Sequence, residues 1–170
     1  ILRCTGHDPF AALADERDIY AGTAAALDVS RPGSVDSAQA AQLALEGDAA
    51  ALQRDKRITN SEGAGVSAQQ SHFFSAHTRG FRGGYASSRH SLSVAPIASM
   101  PGKRGEMQRD AWYSSMRDAA ELAAPEAVGR YAAQRALSRL GSRKIPTTEC
   151  PVLFESPLAA GLLGGLVQAL

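Results

Sequence analysis

The sequence predicts an α+β fold: a mainly antiparallel sheet from about 57 to 115, flanked by helices at about 35–54, 125–140 and 156–170. Three observations carry this prediction. Alanine-rich stretches with helical spacing lie on both sides of the middle of the chain. The middle, Arg57 to Ser115, is rich in Ser and Gly and alternates apolar with polar residues in places. Its connections are short, which joins neighbouring strands antiparallel.

The elements follow in order. Asp8-Pro9 opens a stretch whose apolar residues, Leu13 and Ile19 to Leu27, are split by the charged run Asp15 to Asp18; this reads as a short turn or helix and a connection. Arg31-Pro32-Gly33 is a turn signal. Ser34 is expected to cap the first long helix, with Asp36 in its first turn. Leu43, Leu45 and Leu52 with the alanines form its expected apolar face. Gln39, Glu46, Gln53 and Asp55 face water, and Gly47 weakens it. Arg57 to Asn60 is a short strand and Ser61-Glu62-Gly63 a turn. Val66, Phe73 and Phe74 punctuate the next polar stretch, and Arg79 to Tyr85 reads as a glycine-loosened strand or bulged hairpin. Ser91 to Ala98 is the clearest strand, Leu92 and Val94 facing one way and Ser91 and Ser93 the other, with Pro96 marking its end at an edge or bulge. Met100 to Gly105 is a turn, and Glu106 to Ser115 returns as a strand packing Met107, Trp112 and Tyr113.

Arg117 to Leu122 reads as helical. Pro125 suits the first turn of the next long helix, where Val128, Ala132, Ala136 and Leu140 recur on one face beside Tyr131 and Gly141 stops the run. Val152-Leu153-Phe154 is a short apolar strand. Ser156-Pro157 starts a last helix, whose apolar, glycine-bearing sequence suits a buried position. The organisation is thus one segment: helix-rich over 1–55, sheet over 56–115, and helix, strand and helix over 116–170. No internal repeat interrupts it.

At 170 residues the chain holds about one domain, long enough for a hydrophobic core. A 44% hydrophobic and 21% charged composition is that of a globular protein, and its many alanines call for close helix packing. A formal charge of +1 argues against a broad nucleic-acid-binding surface. No apolar run reaches 18 residues, so no membrane span is expected. Cys4 and Cys150 are far apart; sequence leaves a disulfide open, but with no signal peptide two isolated thiols of an intracellular protein are the expectation. The chain starts at Ile1 without an initiator methionine and stops at Leu170 inside an apolar pattern, as a segment of a longer protein would.

No catalytic or metal motif is complete. His7, His72, His77 and His90 show no paired ligand spacing, and HExxH is absent. Ser88 to Ser91 holds Ser and His close in sequence, but neighbours on a strand point apart, and GxSxG does not occur. Arg79 to Gly84, RGFRGG, is a single RGG-like element inside a predicted sheet. Arg109 and Asp110 are expected in ordinary ion pairs. The motif-like runs Tyr85 to His90 and Arg109 to Tyr113 offer Tyr85, Arg89, His90, Arg109 and Tyr113 as candidate contacts for a peptide or a partner, against a simpler reading as sheet packing.

Five stretches in series carry a resemblance: DKRITNSEG (55–63), GGYASSRHS (83–91), MQRDAWYSS (107–115), PEAVGRYAAQRALSRLGSRKIPT (125–147) and PVLFESPLAAGLLGGLVQAL (151–170). In order and spacing they resemble the PmbA/TldD family, and within it the PmbA (TldE) branch, as an internal fragment. The resemblance implies a cytoplasmic bacterial protein. Its expected role is that of a non-catalytic subunit of a heteromeric zinc-dependent metallopeptidase that matures peptides and degrades unfolded ones. The expected partners are a TldD-like subunit, further copies in a homo- or hetero-oligomer, and unfolded peptide; the family's older label, modulator of DNA gyrase, implies a gyrase link instead. In the TldD branch a HExxxH helix follows a strand like Pro151 to Phe154, its histidines binding zinc and its glutamate activating water. Here Gly164-Gly165 stands in the place of His-Glu, with Gln168 near the second histidine's place. The resemblance therefore implies no catalytic, metal or cofactor residue in this chain, and zinc in the TldD-like partner. The alternative reading is a regulator that binds gyrase or DNA directly through Arg79, Arg82, Arg89, Lys103 and Arg104.

Overall fold

A helix, a long hairpin, two short strands and a second helix follow one another between Asp36 and Arg139 in the computed structural model, which describes residues 6, 8–23, 25–33, 35–100, 102 and 106–170. The elements are α1 (Ser37–Leu52), β1 (Ile58–Ala76), β2 (Arg82–Ser99), β3 (Met107–Arg109), β4 (Trp112–Met116), α2 (Pro125–Ser138) and α3 (Ser156–Ala169). The strands form one antiparallel four-stranded sheet: β1 lies on one side of β2, with β3 and β4 in succession on the other. α1 and α2 cover one face, so the arrangement is α+β as expected.

α1 starts at Asp36, not Ser34. The Asp36 carboxylate accepts the Gln39 N–H at 2.8 Å and Gln39 Oε1 accepts the Asp36 N–H at 3.2 Å, so two helix-end donors are satisfied reciprocally. Ser34 lies outside the described residues. The apolar face also differs from expectation, because Leu45 is 65% exposed and Gly47 and Ala51 are the buried positions. The cause is how closely α2 approaches: a Cβ on Gly129 would lie 2.0 Å from the Gly47 carbonyl oxygen. The two backbones touch at this crossing, and only a residue without a side chain permits it.

β1 and β2 form a single hairpin in continuous register from Ala64↔Val94 to Ala76↔Arg82. Ser61-Glu62-Gly63, expected as a turn, is absorbed inside β1 as an irregularity, with register shifts at Ile58/Asn60 and Ser61/Ala64 and Gly63 at φ +117°. The hairpin turns at 77–81, where His77 N–H donates to the Phe81 carbonyl at 2.8 Å and Gly80 adopts φ +102°. Arg79 and Gly80 therefore belong to the turn, and the strand begins at Arg82.

Pro96 does not end β2; it is buried within it. Its missing N–H is tolerated because both neighbours yield there. On one side it faces Ser61, where β1 loses regular register. On the other, β4 pairs as far as Val94↔Trp112 and β3 resumes at Ile97↔Arg109, so the predicted single strand 106–115 is broken at Asp110-Ala111.

Along β2, Ser88, His90, Leu92, Val94, Pro96 and Ala98 share one face and are buried, Ser88 and His90 beneath the 29–33 segment and the rest toward the helices. Leu92, Val94, Ala98 and Ile58 meet Ala51 of α1 and Val128, Ala132, Ala133 and Ala136 of α2 to make the core. The predicted stripe on α2 is thus observed, with Leu140 partly buried just beyond the helix.

Between 8 and 33, the expected short turn is the 3₁₀ turn Glu16–Asp18, followed by irregular connecting chain. Two further expectations are corrected. Residues 117–122 hold a 3₁₀ turn, Ala119–Glu121, capped by Asp118 through the Ala120 N–H at 2.9 Å. Among the described residues Val152 to Phe154 pairs with no strand, and α3 has no buried residue, its Leu158, Leu162, Leu163, Leu166 and Val167 all more than half exposed. Nothing described packs on α3 as a layer. Cys150 is free and exposed; Cys4, His7 and residues 101 and 103–105 of the predicted turn lie outside the described residues.

Candidate functional site

The sheet face away from the helices is open and hydroxyl-rich. Cross-strand oxygens meet at 2.8 Å in Ser67–Ser91, Ser71–Ser87 and Thr59–Ser99. Tyr85 and Arg89 alternate with buried residues along β2 and so lie on this face. Tyr113 pairs with Ser93 and Arg109 with Ile97, which places both there too. Four of the five candidate residues thus share a face. They do not share a site, because from Tyr85 to Ile97 β2 extends roughly 40 Å at about 3.3 Å per residue.

Each is held differently. Tyr85 stacks at a tilt on Phe73, ring centroids 5.5 Å apart. Arg89 Nη1 donates to Ser115 Oγ at 2.8 Å. Arg109 is ion-paired with Glu62 of β1 across the bulge, the ordinary role expected of it. His90 is on the opposite face, 1% exposed, with Nε2 3.5 Å from the Arg31 carbonyl oxygen and Nδ1 without a hydrogen-bond partner. It packs under the Gly33 backbone and cannot reach a ligand on the open face. Ser88, on the same buried side, accepts the Arg31 N–H at 2.6 Å and donates to the Arg117 carbonyl at 2.8 Å. Its hydroxyl is fully used in anchoring these segments, so no Ser–His dyad forms.

Where β4 ends, a cleft of about 230 Å³ opens beside β2, lined by Gln69, Ser71, Tyr85, Ser87, Ser88, Arg89 and Arg117. Sequence reasoning found Tyr85 and Arg89 but missed Arg117, Gln69 and the serines. The i, i+2, i+4 spacing of Tyr85, Ser87 and Arg89 was a usable signal; nothing local points to Arg117, which arrives from the end of β4.

A second polar cluster ties α2 to the strand break. Asp110 Oδ2 lies 2.8 Å from Arg139 Nε and 3.3 Å from Arg135 Nε, and Arg135 also pairs with Glu155 just before α3. The Arg135 guanidinium lies 5.0 Å over the Trp112 ring, which meets Tyr131 edge-on at 4.7 Å. Burial pushes the Asp110 carboxyl up. The Ala111 N–H, the Arg139 hydrogen bond and the two arginine charges together outweigh it and hold the group below its ordinary value. The Arg135 guanidinium is shifted up, first by its hydrogen bond to Glu155. Among the described residues no group of three or more His, Cys, Asp or Glu is placed to hold a metal ion.

The basic residues of the direct-binding alternative are spread out. Arg79 sits at the hairpin turn, 3.9 Å from Asp15 and bonded to the Ala14 carbonyl. Arg82 and Arg89 are separated along β2 by roughly 23 Å at the usual rise of a strand. Lys103 and Arg104 lie outside the described residues.

Residues 30–140, the part that contains the sheet and the two packed helices, match the model of the PmbA/TldA metallopeptidase central domain. The chain belongs to the PmbA/TldA metallopeptidase family. It is 41% identical over all 170 residues to Metalloprotease PmbA of Escherichia coli O157:H7, and 33% identical over 170 residues to a Metalloprotease PmbA homolog of Haemophilus influenzae. It spans 37% of the length of each of these relatives. A crystal structure from Bacteroides thetaiotaomicron, described as a candidate modulator of DNA gyrase, shares the fold with a TM-score of 0.73 at 24% identity, over 84% of this chain and 32% of that one. A Thermotoga maritima structure described in the same way gives a TM-score of 0.56 at 21% identity, over 66% of this chain and 25% of that one. No helix among the described residues of this PmbA/TldA domain is long and apolar enough to cross a membrane.

Proposed function

We propose that this chain belongs to a PmbA-type, metal-less subunit that works in the cytoplasm with a zinc-bearing TldD-like partner in proteolytic peptide maturation and the degradation of unfolded peptides. The supporting observation is α3. The resemblance puts the zinc helix of the active branch here, and Ser156–Ala169 forms a helix whose sequence, SPLAAGLLGGLVQA, has no His, Cys, Asp or Glu. Zinc takes imidazole, thiolate or carboxylate ligands, and glycine offers none. The residues of α3 do not fit the metal, so no hydrolytic step runs through this segment. Its part is to complete the assembly and present peptide to the partner. The peptidase setting draws on relatives that carry the name Metalloprotease PmbA.

The test is to purify the full protein alone and with the TldD-like partner, then measure zinc content and peptide hydrolysis. Zinc and activity are expected only with the partner. Stoichiometric zinc and hydrolysis by the lone protein would overturn the reading. Direct gyrase or DNA binding is the weaker alternative, since Arg79 is already paired with Asp15. It requires a DNA affinity that falls steeply with salt.

A further inference from the structure

We propose that Arg89 and Arg117 form a site for a tetrahedral oxyanion in the cleft beside β2: the phosphate ion, or the terminal phosphoryl group of a small phosphorylated molecule. This site goes beyond the partner role above and does not depend on it.

The strand register is the first argument. β4 pairs with β2 through Ser91↔Ser115 to His90↔Met116. One position further in the same register, Arg117 stands across from Arg89, and Ser88 Oγ holds it there by donating to the Arg117 carbonyl at 2.8 Å. Like charges directly opposite on neighbouring strands repel. The partners that hold these two guanidinium groups are neutral. Arg89 Nη1 donates to Ser115 Oγ at 2.8 Å and Arg117 Nη1 to the Val29 carbonyl at 3.3 Å. The acids of the adjoining segments serve elsewhere. Asp28 pairs with Arg31 at 2.7 Å, Asp118 accepts the Ala120 N–H at 2.9 Å, and the charges of Asp118 and Glu121 act on Arg31. An oxyanion between Arg89 and Arg117 offsets their repulsion and bonds to both.

The lining is the second argument. Arg89 and Arg117 line the cleft, and no Asp or Glu does. By contrast, Glu46 and Glu126 accompany Arg54 and Arg130 between α1 and α2, and Glu16 accompanies Arg79 and Arg82 at the hairpin turn. Gln69, opposite Arg89 on β1, offers an amide, and Tyr85 a phenolic hydroxyl. Ser71 and Ser87 share one hydrogen bond at 2.8 Å, which leaves one of their two O–H protons to donate into the cleft. The available groups are thus donors set around a space of about 230 Å³, enough for a phosphate-sized group. A guanidinium carries five N–H donors in a planar fork that suits phosphate oxygens, so each arginine keeps several after its one protein bond. The pair of charges selects phosphate over a carboxylate, because a phosphoryl group near its full charge of about −2 balances both and a carboxylate balances one.

The experiment is calorimetric titration of the full-length protein at neutral pH and constant ionic strength with inorganic phosphate, phenyl phosphate and acetate. Phosphate is expected to bind about tenfold or more tightly than acetate and to raise the melting temperature. Arg89→Gln and Arg117→Gln should each weaken phosphate binding about tenfold or more and lose that rise, while folding as the parent does in phosphate-free buffer. Arg89→Lys should keep part of the affinity. Arg109→Gln, on the same face but paired with Glu62, should leave it intact. Phosphate binding no tighter than acetate, a melting temperature that phosphate does not move, or an affinity that survives both glutamine variants overturns the proposal. Phenyl phosphate separates the two sources: affinity equal to that of phosphate assigns the site to a phosphorylated molecule, and affinity about tenfold weaker assigns it to the free ion. None of these arms needs zinc or the partner, so failure here leaves the partner role standing, and failure of the partner test leaves this site standing.

Discussion

Gly129 and Gly47 show how much a single missing side chain decides. A methyl group on Gly129 would fall on the Gly47 carbonyl oxygen at 2.0 Å, a backbone atom that cannot rotate away. A methyl on Gly47 would meet the tip of Val94 at 3.0 Å and the Pro125 carbonyl at 3.4 Å, and helix propensity returns up to about 1 kcal/mol. Gly129→Ala is therefore expected to cost about 1–3 kcal/mol or more, as overpacking does, and Gly47→Ala distinctly less. Urea titrations of both variants check this, and the reverse order would refute the contact as described. Asp110 supplies the second residue-scale prediction. Its folded carboxyl titrates below the unfolded value of about 3.9, so it stabilises the fold above that value and the contribution fades as pH falls through the folded pKa. Asp110→Asn should thus be destabilising near neutrality and approach the parent protein's stability at strongly acid pH, measured by urea unfolding between the two. A gap that stays constant with pH would exclude this linkage.

The elements differ in what anchors them. α1 and α2 rest on the core, with α1 fixed at its start by the Asp36–Gln39 box, and Asp36→Ala is expected to cost about 1 kcal/mol. The distal half of the hairpin carries Phe73 and Phe74 exposed and is held mainly by its own ladder, with Arg79 bonded to the Ala14 carbonyl at the turn. Gly84 is pressed against that ladder: a Cβ there would lie 2.4 Å from the Phe73 carbonyl oxygen. Gly84→Ala should accelerate amide exchange in 70–76 and 82–88 while α1 and α2 stay protected, because the hairpin opens as a local unit. Uniform loss of protection would show that the hairpin and core unfold together. These elements were unevenly legible in the sequence. The alternation Leu92, Ser93, Val94 and the fourfold spacing of Val128, Ala132 and Ala136 predicted the right faces. The bulge at Ser61–Gly63 has the local sequence of a turn, since a bulge and a turn draw on the same residues and differ only in what pairs across from them.

At the scale of the whole molecule, the described chain is a helix-covered sheet followed by an exposed tail. Residues 143–154 are exposed throughout, and Arg135–Glu155 is the ion pair that ties α2 to the start of α3. Trypsin is expected to cut the 170-residue chain first at Arg143 or Lys144, releasing α3 and leaving the sheet and packed helices intact. Arg135→Gln should raise that cleavage rate further, and equal rates would show that the pair does not restrain the tail.

By itself the sequence determined the α+β class, the buried alternation about Leu92 and Val94, the apolar stripe of α2, the family, and the glycine pair in α3. All of these are written in local spacing or in stretches that can be compared directly. Only the tertiary structure decided that Gly47 and Gly129 meet, that Asp110 joins Arg135 and Arg139, that His90 is buried away from Arg89, and that Arg117 lines the same cleft as Arg89. The reason is physical: a period of two or 3.6 residues fixes which face a side chain takes, but register and helix crossing fix what it finds there.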